Sequence, residues 1–162
     1  MLAALDLRVL RLMRTRGHWP PFERAVQAYA VSGENGLLWH GLAVAGLALD
    51  RPNRRVYRRT MGLTLTTLAV NTAIKQLVRR ARPVLEAELP QLVPTLSGRS
   101  YPSAHSSTSF AAAGALSRAL PAPPLYAAAA AMALSRPYLG VHYPSDIAAG
   151  VALGSLLGTL GR

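Results

Sequence analysis

The chain has no cysteine, which excludes a disulfide framework, a thiolate nucleophile and a zinc site built on sulfur. Acidic residues are scarce, 7 against 18 basic ones, and the formal charge of +11 points to an anionic partner. Nucleic acid, lipid headgroups and phosphorylated substrates are the candidate classes. Lysine is nearly absent as well. Lys75 is the only one, so arginine carries the rest of the positive charge, and its planar fork of donors suits phosphate. No apolar segment reaches the about 18–20 residues of an obvious membrane span. Disorder is disfavoured, because 51% of the residues are hydrophobic. A chain of 162 residues suits one domain, 1–162.

What is present is helical in pattern. On a helix, Leu2, Leu5, Val9, Leu12 and Met13 share one arc, with Arg8, Arg11 and Arg14 opposite. That suits a helix lying in a membrane interface, or the surface helix of a soluble bundle. The same arginines interrupt what a signal peptide would need as its apolar segment. A second amphipathic stretch repeats Phe22, Val26 and Tyr29 at helical spacing. Five apolar segments follow, at 35–49, 60–74, 106–117, 125–135 and 147–161, rich in Ala, Gly, Ser and Thr and without a charged face. Small residues of this kind suit helices packed closely in lipid. The expectation is an all-α integral membrane bundle of about five transmembrane helices (34–162), preceded by one or two amphipathic interfacial helices (1–33).

With five spans in order, nearly every unusual polar residue gathers at one membrane face, where ionisable groups default to a functional reading. The first group is Lys75-x6-Arg82-Pro83, with Arg79 and Arg80 between. Alone it reads equally as a basic cluster on lipid headgroups. The second is Pro102-Ser103-Ala104-His105, in which Ser103 has the character of an N-cap. The helix it opens would point free N–H groups and a positive dipole outward, with His105 in its first turn. Alone it is a capped helix. The third is Ser135-Arg136-x5-His142-x3-Asp146, with Pro144 placed to start a helix. Asp146 could fix the tautomer of a nearby imidazole, or simply cap its helix. His105, His142 and Asp146 could also be metal ligands, but the cations Lys75, Arg82 and Arg136 would repel a divalent ion.

Together the three groups resemble the type 2 phosphatidic acid phosphatase superfamily, whose motifs read K-x6-R-P, P-S-G-H and S-R-x5-H-x3-D. The match runs from Lys75 to Asp146 and departs at one motif position, Ala104 in place of glycine. The resemblance implies a membrane phosphatase with no metal and no cofactor. Lys75, Arg82, Ser103, Ala104 (through its N–H) and Arg136 would bind the phosphoryl group. His142 would attack phosphorus and become a phosphohistidine, and Asp146 would hold its ring. His105 would protonate the leaving oxygen and then activate water. Ala104 carries a Cβ, so its backbone is expected to be right-handed helical or extended.

The implied partners are a lipid phosphate and the bilayer, not nucleic acid. The stretch 32–39 is similar to superfamily members acting on decaprenylphosphoryl-5-phosphoribose, so a polyprenyl-linked phosphomonoester or diphosphate is the expected substrate. The alternatives are undecaprenyl diphosphate, phosphatidic acid and phosphatidylglycerophosphate; a non-catalytic binder of anionic lipid is the alternative of a different class. His18 and His40 match no motif and read as packing residues, while Glu34 and Asn35 open the first span on the motif face. Arg51, Arg54, Arg55, Arg58 and Arg59, with Arg118 and Arg162, lie on the opposite face. The positive-inside rule then puts the motifs on the outer face of a cell membrane crossed several times. The arginines of the N-terminal helices argue the other way.

Overall fold

A computed structural model describes residues 2–85, 89–95 and 97–160. The described residues form seven α-helices and no strand: α1 (Leu2–Thr15), α2 (Pro20–Ser32), α3 (Leu37–Leu49), α4 (Arg54–Val78), α5 (Ala104–Leu116), α6 (Ala122–Tyr138) and α7 (Pro144–Leu160). Single 3₁₀ turns, Glu34–Gly36 and Arg51–Asn53, lead into α3 and α4. Met1, Gly161 and Arg162, at the ends of the segments expected from the sequence, lie outside the described residues.

Helix α5 is the axis, packed against α4, α6 and α7. Its sequence, AHSSTSFAAAGAL, has almost no side-chain bulk and is buried nearly all round. Helix α7 answers with Gly150, Gly154 and Gly158, one glycine per turn on its buried face. A Cβ on Gly150 would sit 2.6 Å from the Ser103 carbonyl oxygen, and one on Gly154 would overlap that of Ser107. The two backbones therefore touch, which only small residues permit. Helix α4 buries Thr60, Thr64 and Thr67, whose hydroxyls donate to the carbonyls of Val56, Thr60 and Leu63 at 2.8–3.0 Å. A polar stripe is thus buried without orphaned donors. Away from the motifs, Trp39, Ala43, Tyr57, Leu116 and Leu125 form the main apolar cluster, and Trp39 Nε1 donates to Ser109 Oγ at 2.9 Å.

Several boundaries differ from expectation. The arginines at 54, 55, 58 and 59 belong to the first turns of α4 and not to a loop, and α4 runs to Val78. Hydropathy stops where charge begins, but nothing in Arg-Arg-Val-Tyr-Arg-Arg breaks a helix. In α1 the face turned to the protein is Asp6, Leu10 and Arg14, all buried. Leu5 and Leu12 point outward. The sequence places Arg14 on the exposed face; its guanidinium instead donates to Pro90 O at 2.8 Å and Tyr138 O at 3.3 Å. No helix among the described residues is both long and apolar enough to cross a membrane, so the expected count of spans does not appear as such.

Candidate active site

The end of α4, the start of α5, the end of α6 and the turn between α6 and α7 converge on a cavity of about 450 Å³. Lys75, Arg82, Ala104, His105, Arg136 and His142 line it, together with the Glu34–Gly36 turn and residues 94, 95 and 97–99. The connection between α4 and α5 is held across itself by the Ala81–Arg99 bridge. Arg82 N donates to Gly98 O and Ser100 N to Arg80 O. Those bonds deliver Arg82 to the cavity.

Lys75 and Arg82 are restrained before any ligand arrives. Lys75 Nζ donates to the Arg99 and Ser100 carbonyls, both at 3.3 Å. Arg82 donates through Nε to Ser97 O and through Nη1 to Val141 O, each at 2.7 Å. Arg136 is 5% exposed, and its buried Nε has no hydrogen-bond partner among the described residues. A buried guanidinium with an open donor is suited to an anion. Among the described residues the cavity lining includes the carboxylate of Glu34, which attracts Arg136.

His142 sits in the short turn between α6 and α7, with its ring buried. Arg82 Nη1 lies 3.2 Å from Nε2, and a guanidinium only donates, so Nε2 is the acceptor nitrogen and Nδ1 carries the proton. Nδ1 faces Asp146 Oδ2 at 3.5 Å, a contact too long and too far off line for a formed hydrogen bond. Burial pushes the His142 imidazolium well below its ordinary pKa. Asp146 opposes the shift, while Arg82, Arg136 and Lys75 reinforce it. The ring is therefore neutral, with its lone pair on the Arg82 side. His105, in the first turn of α5, donates from Nε2 to Ala30 O at 3.2 Å, which leaves Nδ1 as its basic nitrogen.

Ser103 and Asp146 stand behind the cavity wall. Ser103 caps α5, its Oγ taking hydrogen bonds from Ser106 N (3.4 Å) and Ser106 Oγ (3.0 Å), and it is fully buried. Ser103 is not part of the cavity lining, and its Oγ is engaged at the helix terminus that presents Ala104 and His105. Ala104 is the first residue of α5 and has right-handed helical φ, as its Cβ requires. Ser103 N also donates to the Asp146 carbonyl at 3.0 Å, which ties the second motif to the third.

Three participants carry no motif signal in the sequence. Arg80 and Asp6 form ion pairs in line with Asp146, at 2.8 Å each. The signal available was scarcity, since with so few acidic residues each one warrants a search for its cation. Asn71 is the other bridge, donating to Pro102 O at 3.3 Å and Ser107 Oγ at 3.1 Å. His18 stacks on Tyr138 at 4.1 Å, far from the motifs in role. Among the described residues no cluster of three metal-ligating side chains occurs.

Comparison with known proteins agrees with this geometry. The pattern of the PAP2 superfamily matches residues 58–161, and the chain belongs to that superfamily. It is a lipid phosphatase. The decaprenylphosphoryl-5-phosphoribose phosphatase of Mycobacterium tuberculosis is 43% identical over 129 residues, covering 79% of this chain and 72% of that one. The protein of the same name from Mycolicibacterium smegmatis is 38% identical over 73% of this chain and 65% of its own length. Among solved structures, Aquifex aeolicus LpxE superposes with a TM-score of 0.80 at 23% identity, covering 97% of this chain and 94% of that one, a likeness of fold.

Proposed function

We propose that the chain hydrolyses a phosphoryl group from a polyprenyl-linked lipid, of which decaprenylphosphoryl-5-phosphoribose is the reference substrate, through a phosphohistidine at His142. The observation that carries this reading is the neutral His142 ring in a cavity edged by Lys75, Arg82 and Arg136. The names of the curated relatives supply the substrate. Glu34 on the cavity wall supports a hydroxylated headgroup, because a carboxylate accepts hydrogen bonds from hydroxyls and repels a bare second phosphate.

The steps balance without a metal. The phosphoryl oxygens draw Arg82 off Nε2 and occupy the donors of Lys75, Arg82, Arg136 and the Ala104 N–H. These donors stabilise the charge that spreads in the transition state. His142 Nε2 attacks phosphorus, a P–N bond forms, and the P–O bond to the lipid alcohol breaks. His105 Nδ1 takes the proton that the phosphomonoester carries into the site and passes it to the leaving oxygen. Nδ1 then takes a proton from water, the hydroxide attacks phosphorus, the P–N bond breaks and phosphate leaves. Asp146 supports the imidazolium character of His142 throughout.

Helices α3–α7 form the membrane part in this reading. Leu5, Leu12, Trp19 and Phe22 of the N-terminal helices are exposed, as helices lying in the interface require. The site opens to the outer face, because the exposed arginines at the start of α4 occupy the opposite end. Ser97 lines the cavity, so Ser97→Cys in intact cells should react with an impermeant thiol reagent; reaction only after lysis would reverse the orientation.

The substrate test is phosphate release from decaprenylphosphoryl-5-phosphoribose, undecaprenyl diphosphate and phosphatidic acid in excess chelator, with vanadate as inhibitor. The reading expects the first to have the highest kcat/KM and chelator to have no effect. Preference for the diphosphate would replace the substrate, and activity dependent on an added divalent ion would overturn the cationic mechanism.

A further inference from the structure

Arg80 lies in the unspecified stretch between Lys75 and Arg82, and it does not line the cavity. It is nonetheless held by a dense set of polar contacts. Nη1 donates to Asp146 Oδ1 at 2.8 Å and to Ser145 Oγ at 2.7 Å. Nη2 donates to Asp6 Oδ2 at 2.8 Å, and the guanidinium carbon sits 4.1 Å above the centre of the Tyr143 ring. Asp6 in turn accepts from the Ser145 backbone N–H at 2.9 Å and from the Ser145 hydroxyl. It places a carboxylate at the N-terminus of α7, where the dipole favours one.

Both carboxylates are buried, Asp6 to 3% exposure and Asp146 to 0%. A buried carboxylate without a partner is strongly unfavourable, so one guanidinium satisfying two of them leaves little freedom to any of the three. The consequence for Asp146 is specific. Oδ1 is taken by Arg80 and Oδ2 receives the Tyr143 N–H at 2.9 Å, so the carboxylate cannot rotate. Oδ2 is thereby the oxygen held toward His142 Nδ1. The chain of contact runs from α1 through Arg80 to the imidazole.

We infer that Arg80 and Asp6 are positioning residues for catalysis: they lock the Asp146 carboxylate against His142, and through Asp6 the docking of the N-terminal helix α1 becomes a condition of activity. The inference rests on His142 being the nucleophile. It gives α1 a role beyond lying at the membrane surface, because displacing α1 would release Arg80 and free the carboxylate to turn.

The variants are Arg80→Met, Arg80→Lys, Asp6→Asn and the double Asp6→Asn/Arg80→Met, read by kcat, KM, thermal midpoint and the pH profile of kcat/KM. Arg80→Met should lower kcat by about 10²-fold with KM within about twofold, since Arg80 does not touch substrate. Arg80→Lys should recover part of that loss, and Asp6→Asn should lose about tenfold. The double variant should be no worse than Arg80→Met, because both break one chain. The pH profile carries the second signature. His142 is faced by Lys75 of α4, Arg82 of the α4–α5 connection, Arg136 of α6 and Asp146 of α7. Removing the cation that engages Asp146 leaves the imidazole easier to protonate, so the acidic limb should move to higher pH. An unchanged kcat and limb with only a lower thermal midpoint would overturn the inference, as would a fully additive double variant. Should Arg80→Met not fold, Asp6→Asn alone separates the two outcomes by the same readouts. If phosphohistidine still forms in wild type while these variants are indifferent, only this inference fails; if His142→Ala turns over, the reading of the site fails with it.

Discussion

The two ends of α4 both carry cations, and they are used in opposite ways. At its start Arg54, Arg55, Arg58 and Arg59 are all exposed, with no acidic residue in the first turn. Arg54 and Arg55, in the first turn, face the positive end of the helix dipole, which disfavours them. At its end Lys75 is joined by Arg82 and Arg136 in partial or complete burial: Lys75 and Arg82 donate to backbone carbonyls, Arg82 also reaches His142 Nε2, and Arg136 Nε has no partner among the described residues. Charge alone therefore says little. Desolvation and restraint separate a group that steers or adheres from one that stabilises a transition state.

The sharpest test of that contrast is to remove one cation from each end. Arg136→Ala should lower kcat/KM by about 10²–10³-fold, the usual cost of losing one preorganised donor to developing charge. A loss below tenfold, measured by phosphate release, would dissolve the distinction.

Acidity offers the next test, because the site end holds a buried histidine and two buried carboxylates, His142, Asp6 and Asp146. The His142 pKa is depressed by burial, so the folded protein keeps the ring neutral at pH values where the unfolded chain protonates it. Below about pH 6.5 the unfolded state then binds the extra proton, and stability falls with pH by at most about 1.4 kcal/mol per unit. Denaturant melts across pH 7 to 5 should show a steeper slope in wild type than in His142→Asn, which keeps the contribution of buried His105. Asp6 acts in a lower window. Burial alone would raise its pKa, but hydrogen bonds from Ser145 and Arg80 lower it overall. Its contribution is present above about pH 3.8 and lost as pH falls through the depressed folded value, so the stability gap to Asp6→Asn should close there.

The smallest effect belongs to the other end. Arg55→Gln with Arg58→Gln should leave kcat within about twofold and the thermal midpoint unchanged or slightly raised, since an unfavourable dipole contact is relieved. A tenfold fall in kcat would mean that these arginines reach the chemistry after all.

The contrast also explains what is legible in the chain. The three spaced groups lead to Lys75, Arg82, His105, Arg136 and His142, which the fold gathers around one cavity, because motif spacing encodes local geometry at helix ends. Ser103 is a cap, as its place in the sequence suggests, but its hydroxyl turns into the protein. The pairing of Asp6 with Arg80 spans 74 positions and depends on how α1 docks, which no periodicity records. Arg14 misleads for a related reason: helical spacing separates faces but does not say which face is buried when the surroundings are apolar. The start of α4 falls earlier than hydropathy suggests, because charge marks a boundary only where a helix breaker accompanies it.

The central claim is the covalent step, and it is tested most directly by rapid-quench trapping followed by mass spectrometry of the labelled peptide. His105→Ala with a substrate bearing a good leaving group retains the nucleophile while slowing release, so phosphate should accumulate on His142. The adduct should be labile in acid and persistent in alkali. Phosphate on Ser103, or turnover by His142→Ala, would contradict the account.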